Sequence, residues 1–480
     1  MQKYLTYEQF GAVGDGVEDD MPAIVRTHAE ANRLGLPVRA RDHALYRIAN
    51  RSATAEIGTD TDWGDASFVI DDRDLDRHDT PVFHVKSLTV TEAPFAIDSL
   101  RYGQTHIDNP TGKELFVRVW NDEHIDYIRY GGNQDDGTAR YDCFDIAPDG
   151  TLSTPVSFDF EKITRVYAET VDTDTLTLSG GHFTTIANRC ESFYNYHNRG
   201  ITVDRSRVRI HGLTHAVTGE LEHGAPYNGF LIIAGCAHVT VEDCVFCAHR
   251  TYYTMGSGGV TVPMGTYDIT FSSAIDVTFR NCRQTTDITD RAYWGLIGSN
   301  NCREILVEDC TFSRFDAHMG VTDCTIRRTN LGWMGITAIG FGTFTLENVT
   351  SYGDWFVNLR EDFGCSWRGK FVIRDCTWHC RGKLHPLFRA VNPGVHDFGY
   401  ECVLPDVEID GFTVLGAEDA GALSVYTDPD FGRERGGYPM RLPRNVTVRG
   451  KIHGATQMTL CSTPNRMPDT CFTAEYTTEA

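Results

Sequence analysis

Residues 239–246 read VTVEDCVF, residues 277–284 read VTFRNCRQ, residues 305–312 read ILVEDCTF and residues 371–378 read FVIRDCTW. Each runs apolar–x–apolar–x–polar–cysteine–x, then an apolar or polar residue. Alternation of period two is the signature of a half-buried strand. The same pattern occurs in VRIHGLTH from Val208, CTIRRTNL from Cys324, FTLENVTS from Phe344, VEIDGFTV from Val407 and VTVRGKIH from Val446. The nine starts fall 19 to 39 residues apart. No helical pattern of useful length lies between them. That excludes α-solenoids, leucine-rich repeats and doubly wound α/β folds. Short strands recurring with loops of variable length predict an all-β, parallel β-helix, in which each coil packs only on its neighbours. Long insertions then leave from the same turns and wall a groove on one face, where function is to be sought.

The repeat also accounts for the 15 cysteines. Cys244, Cys282, Cys310 and Cys376 take the same place in their coils and are expected to stack as small apolar side chains inside the solenoid. Cys244 and Cys247 form a lone CxxC, and no paired CxxC…CxxC of metal-site spacing is present. No metal site is expected, and the cysteines read as buried free thiols of a reducing compartment.

Composition bounds the partners. The 480 residues are 41% hydrophobic and 23% charged, an ordinary globular mix. The formal charge of −22 disfavours nucleic acid and acidic membranes. It also mildly disfavours a densely anionic polymer unless arginines cluster locally. No apolar run reaches the roughly 18 residues of a membrane span. The start, MQKYLTYEQF, shows no secretion signal, so a cytoplasmic protein is expected, or a secreted or periplasmic one whose signal has been removed.

A solenoid end exposes apolar coil edges and needs a cap. The stretch EDDMPAIVRTHAEANRLG, residues 18–35, supplies one. Asp19 or Asp20 is placed to N-cap a helix, Pro22 suits its first turn, Ile24, His28 and Ala31 repeat at helical spacing, and Gly35 ends it. Phe10-Gly11-Ala12-Val13-Gly14-Asp15-Gly16, followed by Asp19-Asp20 and Ala23-Ile24, resembles the N-terminal signature of the pectate-lyase-like superfamily of right-handed parallel β-helices. The resemblance implies that fold and a carbohydrate-active protein: a polysaccharide lyase, a glycoside hydrolase, a sugar epimerase or a phage depolymerase. A Gly-rich phosphate loop is excluded, because GxxxxGK[ST] is missing and the acids would repel phosphate.

Four segments are expected: residues 1–89 as the N-terminal cap and first coils, 90–186 as early coils interrupted by a β-rich insertion, 187–460 as the main β-helix with its groove, and 461–480 as a C-terminal cap or tail outside the repeat. Polar density peaks between residues 264 and 370. Asp268 lies 14 residues before Cys282 and Asp316 lies 13 before Thr329, while Asp362 lies 14 before Cys376. These counts place the three acids on one edge. Asp268 and Asp316, two coils apart, would then approach the separation of paired carboxylates in glycoside hydrolysis. Clustered acids would raise the pKa of one of them and create the proton donor. His318 would relay the proton, and Arg360 would hold a carboxylate. Arg314, Asp290, Tyr293, Trp294, Trp333, Trp355 and Glu361 are candidate substrate contacts, the tryptophans offering flat faces to sugar rings. Residues 211–230 add His211, His215, Glu220, Glu222, His223 and Tyr227, with His249, Arg250, Tyr252 and Tyr253 in the next coil. A groove wall touching substrate through His223, Tyr227 and His249 is preferred there over a metal site.

The leading expectation is a glycoside hydrolase acting on a polysaccharide or oligosaccharide, with no cofactor required. The adjacent Asp-Asp that marks polygalacturonase-type hydrolases is missing from the main coils, residues 187–460. A polysaccharide lyase working by β-elimination on a uronate, or a related epimerase, is the alternative. It would use Arg360 and Arg314 with His318 or a tyrosine, and Ca²⁺ would then fit among the acids. A non-catalytic glycan-binding β-helix is the third reading. A homo-oligomer such as a trimer is left open.

Overall fold

The computed structural model describes residues 3–50, 52–75, 80–89, 92–93, 95–129, 137–191, 196–221, 224–255, 261–390, 401–428, 440–464 and 467–479. The chain is a right-handed parallel β-helix. All nine repeat starts lie side by side in one parallel column: Val208, Val239, Val277, Ile305, Cys324, Phe344, Phe371, Val407 and Val446. Leu176 extends the column at one end and Phe472 at the other. Residues 461–480 therefore do resume the repeat: the strand Phe472–Glu479 adds a last rung on Val446–His453.

The polar residue that closes each alternation explains the bend. Gly212, Asp243, Asn281, Asp309, Arg328, Asn348, Asp375, Gly411 and Gly450 all have φ between +46° and +75°. Glycine enters this left-handed region without penalty, and Asn and Asp tolerate it best among the rest. One such residue turns the chain from one sheet to the next and sends the following side chain inward. That side chain is the ladder residue, so Cys244, Cys282, Cys310 and Cys376 are buried and all fifteen cysteines are free. The Cys282 amide donates to Cys310 Sγ at 3.4 Å, and the Cys310 amide to Thr329 Oγ1 at 3.2 Å. A second inward column runs Leu231, Ile269, Ile297, Phe315, Ile336, Val357, Phe388 and Tyr426. Each such side chain contributes about 1.5–3 kcal/mol by leaving water.

The helix Met21–Leu34 closes the N-terminal end with Ile24, His28 and Ala31 buried and Gly35 as its left-handed stop. Asp20 precedes it without a side-chain cap bond. Its carboxylate instead accepts the amides of Val13, Gly14 and Arg47, which ties the glycine loop to the first coil.

The strand Thr61–Asp71 pairs directly with Leu176–Ile186, so the chain leaves the stack and returns to the adjacent rung. Between them lies an antiparallel sheet of Leu115–Tyr127, Thr138–Ile146 and Arg165–Thr170 with its own apolar core. Phe116, Cys143 and Val171 pack it on Ala237 and Ile275 of the coils. Tyr127 at its far end packs with Ile339, Phe341 and Phe363.

Candidate active site

One step along from the inward column, side chains face outward. In register they are Ile232, Thr270, Gly298, Asp316, Thr337, Asn358 and Arg389. The strand Thr311–Arg327 places Arg314, Asp316 and His318 on this face, because alternate residues share a side. Gly298 lacks the Cβ that would stand 3.2 Å from the Tyr267 ring. The ring therefore lies over the column, and its hydroxyl donates to Asp316 Oδ2.

Asp316 is fully buried beneath cations. Arg314 Nη2 lies 2.9 Å from its Oδ2, and Arg360 Nη1 3.5 Å from its Oδ1. Arg314 also donates to the Tyr267 hydroxyl at 2.7 Å and to Thr337 Oγ1 at 3.2 Å. Arg360 forks onto Asp362 at 3.0 and 2.7 Å. Arg129, from the insertion, donates to the same carboxylate at 2.8 Å. The result is a chain of alternating charges: Arg314, Asp316, Arg360, Asp362 and Arg129.

These neighbours decide the protonation states. Burial alone would raise the Asp316 carboxyl, but Arg314 and Arg360 hold it below the usual carboxylate range. Asp362 is likewise held well down by Arg360 and Arg129 against its burial. His318 is pulled down to about 3 by burial and by Arg360. It is neutral at ordinary pH, and its Nδ1 pairs with Asn300 Oδ1 at 2.6 Å. The acids therefore do not raise one another, and this patch holds no carboxylic acid poised to donate a proton.

Asp268 belongs elsewhere. Its main chain pairs with Phe230, and Asp316 stands level with Thr270, two residues further on. The two acids occupy different columns and form no carboxylate pair. Asp268 points into a polar node at an inner corner of the coil. His215 Nδ1 lies 2.7 Å from Oδ1, His249 Nε2 lies 3.4 Å from Oδ1, and the Cys247 amide donates to Oδ2 at 3.0 Å. His215 Nε2 meets Thr185 Oγ1 at 2.9 Å, and His249 Nδ1 meets Glu220 Oε1 at 3.0 Å. His215 stacks on Phe230 with centroids 3.8 Å apart. Against burial, Glu220 and Asp268 raise the His249 imidazole to about 10.

Other expected contacts separate in the same way. Tyr227 and His249 are buried and cannot touch a polymer on the surface. The Tyr227 hydroxyl donates to Asp72 at 3.1 Å. Glu222 and His223 lie outside the described residues. Asp290 caps a turn through the Ala292 amide at 2.8 Å. Glu361 pairs with Arg389 at 2.8 Å. Trp333, half-buried, donates to the Tyr293 carbonyl at 2.8 Å and lies under Arg291. Trp294 packs over Gly265 beside Arg314, and Trp355 packs on His385. Arg129, Tyr267, Asn300 and Thr337 join the patch without having been singled out. Tyr267 stands before the strand Ile269–Ser272 with the inward parity of Ile269, so alternation does not mark it, and nothing local in the sequence marks Arg129.

Two groups among the described residues bring three metal-ligating side chains together: His215, Cys247 and Asp268, and Glu114, Asp145 and His238. In the second, His238 bridges the insertion and the coils, with Asp145 at 3.2 Å, Glu114 at 3.4 Å and Asp276 at 2.8 Å. Both of its nitrogens already face carboxylates. Although burial lowers it, Asp145 and Asp276 raise His238 to about 9.

No protein-family model matches the chain. The capsule KL64-specific depolymerase of Klebsiella phage P510 is 31% identical over 126 residues, which are 23% of this chain and 12% of that protein. The chain thus spans only a small part of the curated relative it matches. Among solved structures, the tailspike protein gp49 of Pseudomonas phage LKA1 superimposes with a TM-score of 0.55 at 14% identity, over 96% of this chain and 83% of that one. Tailspike gp61 of Pseudomonas phage phi297 gives 0.52 at 12% identity, over 94% and 80%. Tailspike gp54 of Acinetobacter baumannii bacteriophage AP22, solved in complex with A. baumannii capsular saccharide, gives 0.50 at 12% identity, over 98% and 76%. This chain has the fold of those tailspikes.

Proposed function

We propose that this chain is a polysaccharide depolymerase that cleaves uronate-bearing chains by β-elimination on the outward face around Asp316. One observation carries the reading: the patch offers a neutral base and cations, and both of its carboxyls are held ionised by arginine. Elimination needs a base for the proton beside the uronate carboxyl and a cation to stabilise the charge that develops there. Hydrolysis needs a protonated carboxylic acid. His318, with Nδ1 held by Asn300, presents Nε2 as the base. An arriving substrate carboxylate raises the proton affinity of His318, since a nearby anion favours the imidazolium. Arg129 and Arg360 supply the cationic wall, which offsets the net charge of −22. The saccharide-bound tailspike and the capsule depolymerase support a polysaccharide as the substrate, and the uronate rests on the arginines of the patch alone.

A second reading, a hydrolase, rests on Glu304. His238, Asp276, Glu304 and Asp323 occupy one left-handed corner of successive coils, with φ of 60°, 54°, 53° and 51°. Burial raises the Glu304 carboxyl, and Asp323 and Asp276 raise it further against Arg303. The test is a panel of uronate-bearing and neutral capsular polysaccharides, read for new reducing ends and for the ultraviolet absorbance of an unsaturated uronate. New ends with absorbance support elimination at His318. New ends without absorbance reject it and move the site to Glu304.

A further inference from the structure

The insertion touches the Asp316 patch through Tyr127 as well as Arg129. Tyr127, the last residue of the strand Leu115–Tyr127, is buried, and its hydroxyl donates to Asn301 Oδ1 at 3.0 Å. Asn301 follows Asn300, whose Oδ1 holds His318 Nδ1 at 2.6 Å. We infer that Tyr127 is a positioning residue for the base: through Asn301, Asn300 and Phe363 it fixes the tautomer and orientation of the His318 imidazole. This rests on the reading of His318 as the base of elimination, and it makes the insertion a working part of the site.

Two contacts carry the effect. The first is a pair of turns. Asn301 stands at φ +51°, in the left-handed region, and its amide donates to the Met319 carbonyl at 2.6 Å. The turn after Asn300 is thereby tied to the residue after His318. Gly320, at φ +62°, lets the insertion come close: a Cβ there would collide with the Tyr127 hydroxyl and the Asn301 side chain. The hydroxyl thus touches both the turn that carries Asn300 and the turn that follows His318. The second contact is Phe363, buried on the short helix Glu361–Phe363. Tyr127 meets its ring edge-on with centroids 5.7 Å apart, and His318 meets it at 88° with centroids 6.5 Å apart. A neutral imidazole carries one N–H, and an acceptor at Nδ1 keeps the proton there and leaves Nε2 the lone pair. Tyr127 is not itself the base, because burial pushes its phenol far up and its proton is engaged on Asn301.

The test is ¹⁵N NMR of the whole chain with labelled imidazoles at neutral pH, the His318 signals being assigned by their loss in His318→Ala. The wild type should show a neutral His318 with its proton on Nδ1. Tyr127→Phe removes the hydroxyl and keeps the ring, and it should move His318 toward the Nε2–H form. Turnover of a polysaccharide that the wild type cleaves should fall about 10–100-fold with KM unchanged. Asn301→Gly suits the left-handed φ and removes the acceptor, so it should produce the same change, and the double variant should lose no more than either single one. His318 nitrogen shifts that stay unchanged in both variants overturn the inference, even if stability falls, because Tyr127 is then packing alone. Losses that add in the double variant also overturn it. The nitrogen shifts are read without saccharide: a changed tautomer in a protein that cleaves nothing sinks the depolymerase reading and upholds the coupling of Tyr127 to His318.

Discussion

Asp268 and Asp316 are both fully buried aspartates two coils apart, yet the molecule treats them differently. Asp268 faces inward and meets two histidines and a cysteine. Asp316 faces outward and meets two arginines and a tyrosine. Histidine and thiol groups share protons with the carboxylate through hydrogen bonds, whereas arginine keeps its charge and pins the carboxylate ionised. A buried acid is therefore not a catalyst by position alone. The groups that neutralise it decide whether it holds a structure together or shapes a reactive surface.

The largest break in this contrast is Arg360→Ala. It strips Asp316 and Asp362 of a shared cation while both stay buried or half-buried. Removing one partner of a buried pair costs about 3–5 kcal/mol, so chemical denaturation should show a loss of that size and turnover should vanish. Next is His318→Ala, which removes the proposed base but no ion pair. Depolymerisation should fall about 10²–10⁴-fold with stability changed by less than about 1 kcal/mol. Equal loss in binding and turnover would make His318 a mere contact.

A third effect tests the junction between insertion and solenoid. His238 is raised to about 9 from an ordinary value near 6.5, so its contribution is fully present below pH 6.5 and is lost as pH rises through 9. Stability should decline over that window by up to about 3 kcal/mol, and His238→Gln should flatten the decline. The smallest effect belongs to the cysteine ladder. Cys310→Ala should cost about 1 kcal/mol, since it removes buried volume and the sulfur that accepts the Cys282 amide, and reducing agents should change nothing, since the cysteines are free thiols.

The solenoid was legible because two local rules repeat in every coil: alternation before the corner and a residue fit for positive φ at it. Those rules placed all nine strand starts in register. The site was less legible because counting back from Cys282 or Thr329 crosses loops of unequal length. Counts of 14 and 13 concealed a shift of two register positions between Asp268 and Asp316. Arg129 reaches Asp362 from the insertion, a contact that no local pattern encodes. Asp19 and Asp20 stand where a helix cap is expected, but the Asp20 carboxylate turns back to accept the amides of Val13 and Gly14 in the glycine loop and of Arg47 in the first coil.

The most direct measurement is a crystal structure of the His318→Ala variant with an oligosaccharide cut from the polymer that the wild type degrades. The sugar should lie along the Thr270–Gly298–Asp316–Thr337 face with a uronate carboxylate against Arg129. A sugar seated instead along the corner from His238 to Asp323 would contradict the account and assign the chemistry to Glu304.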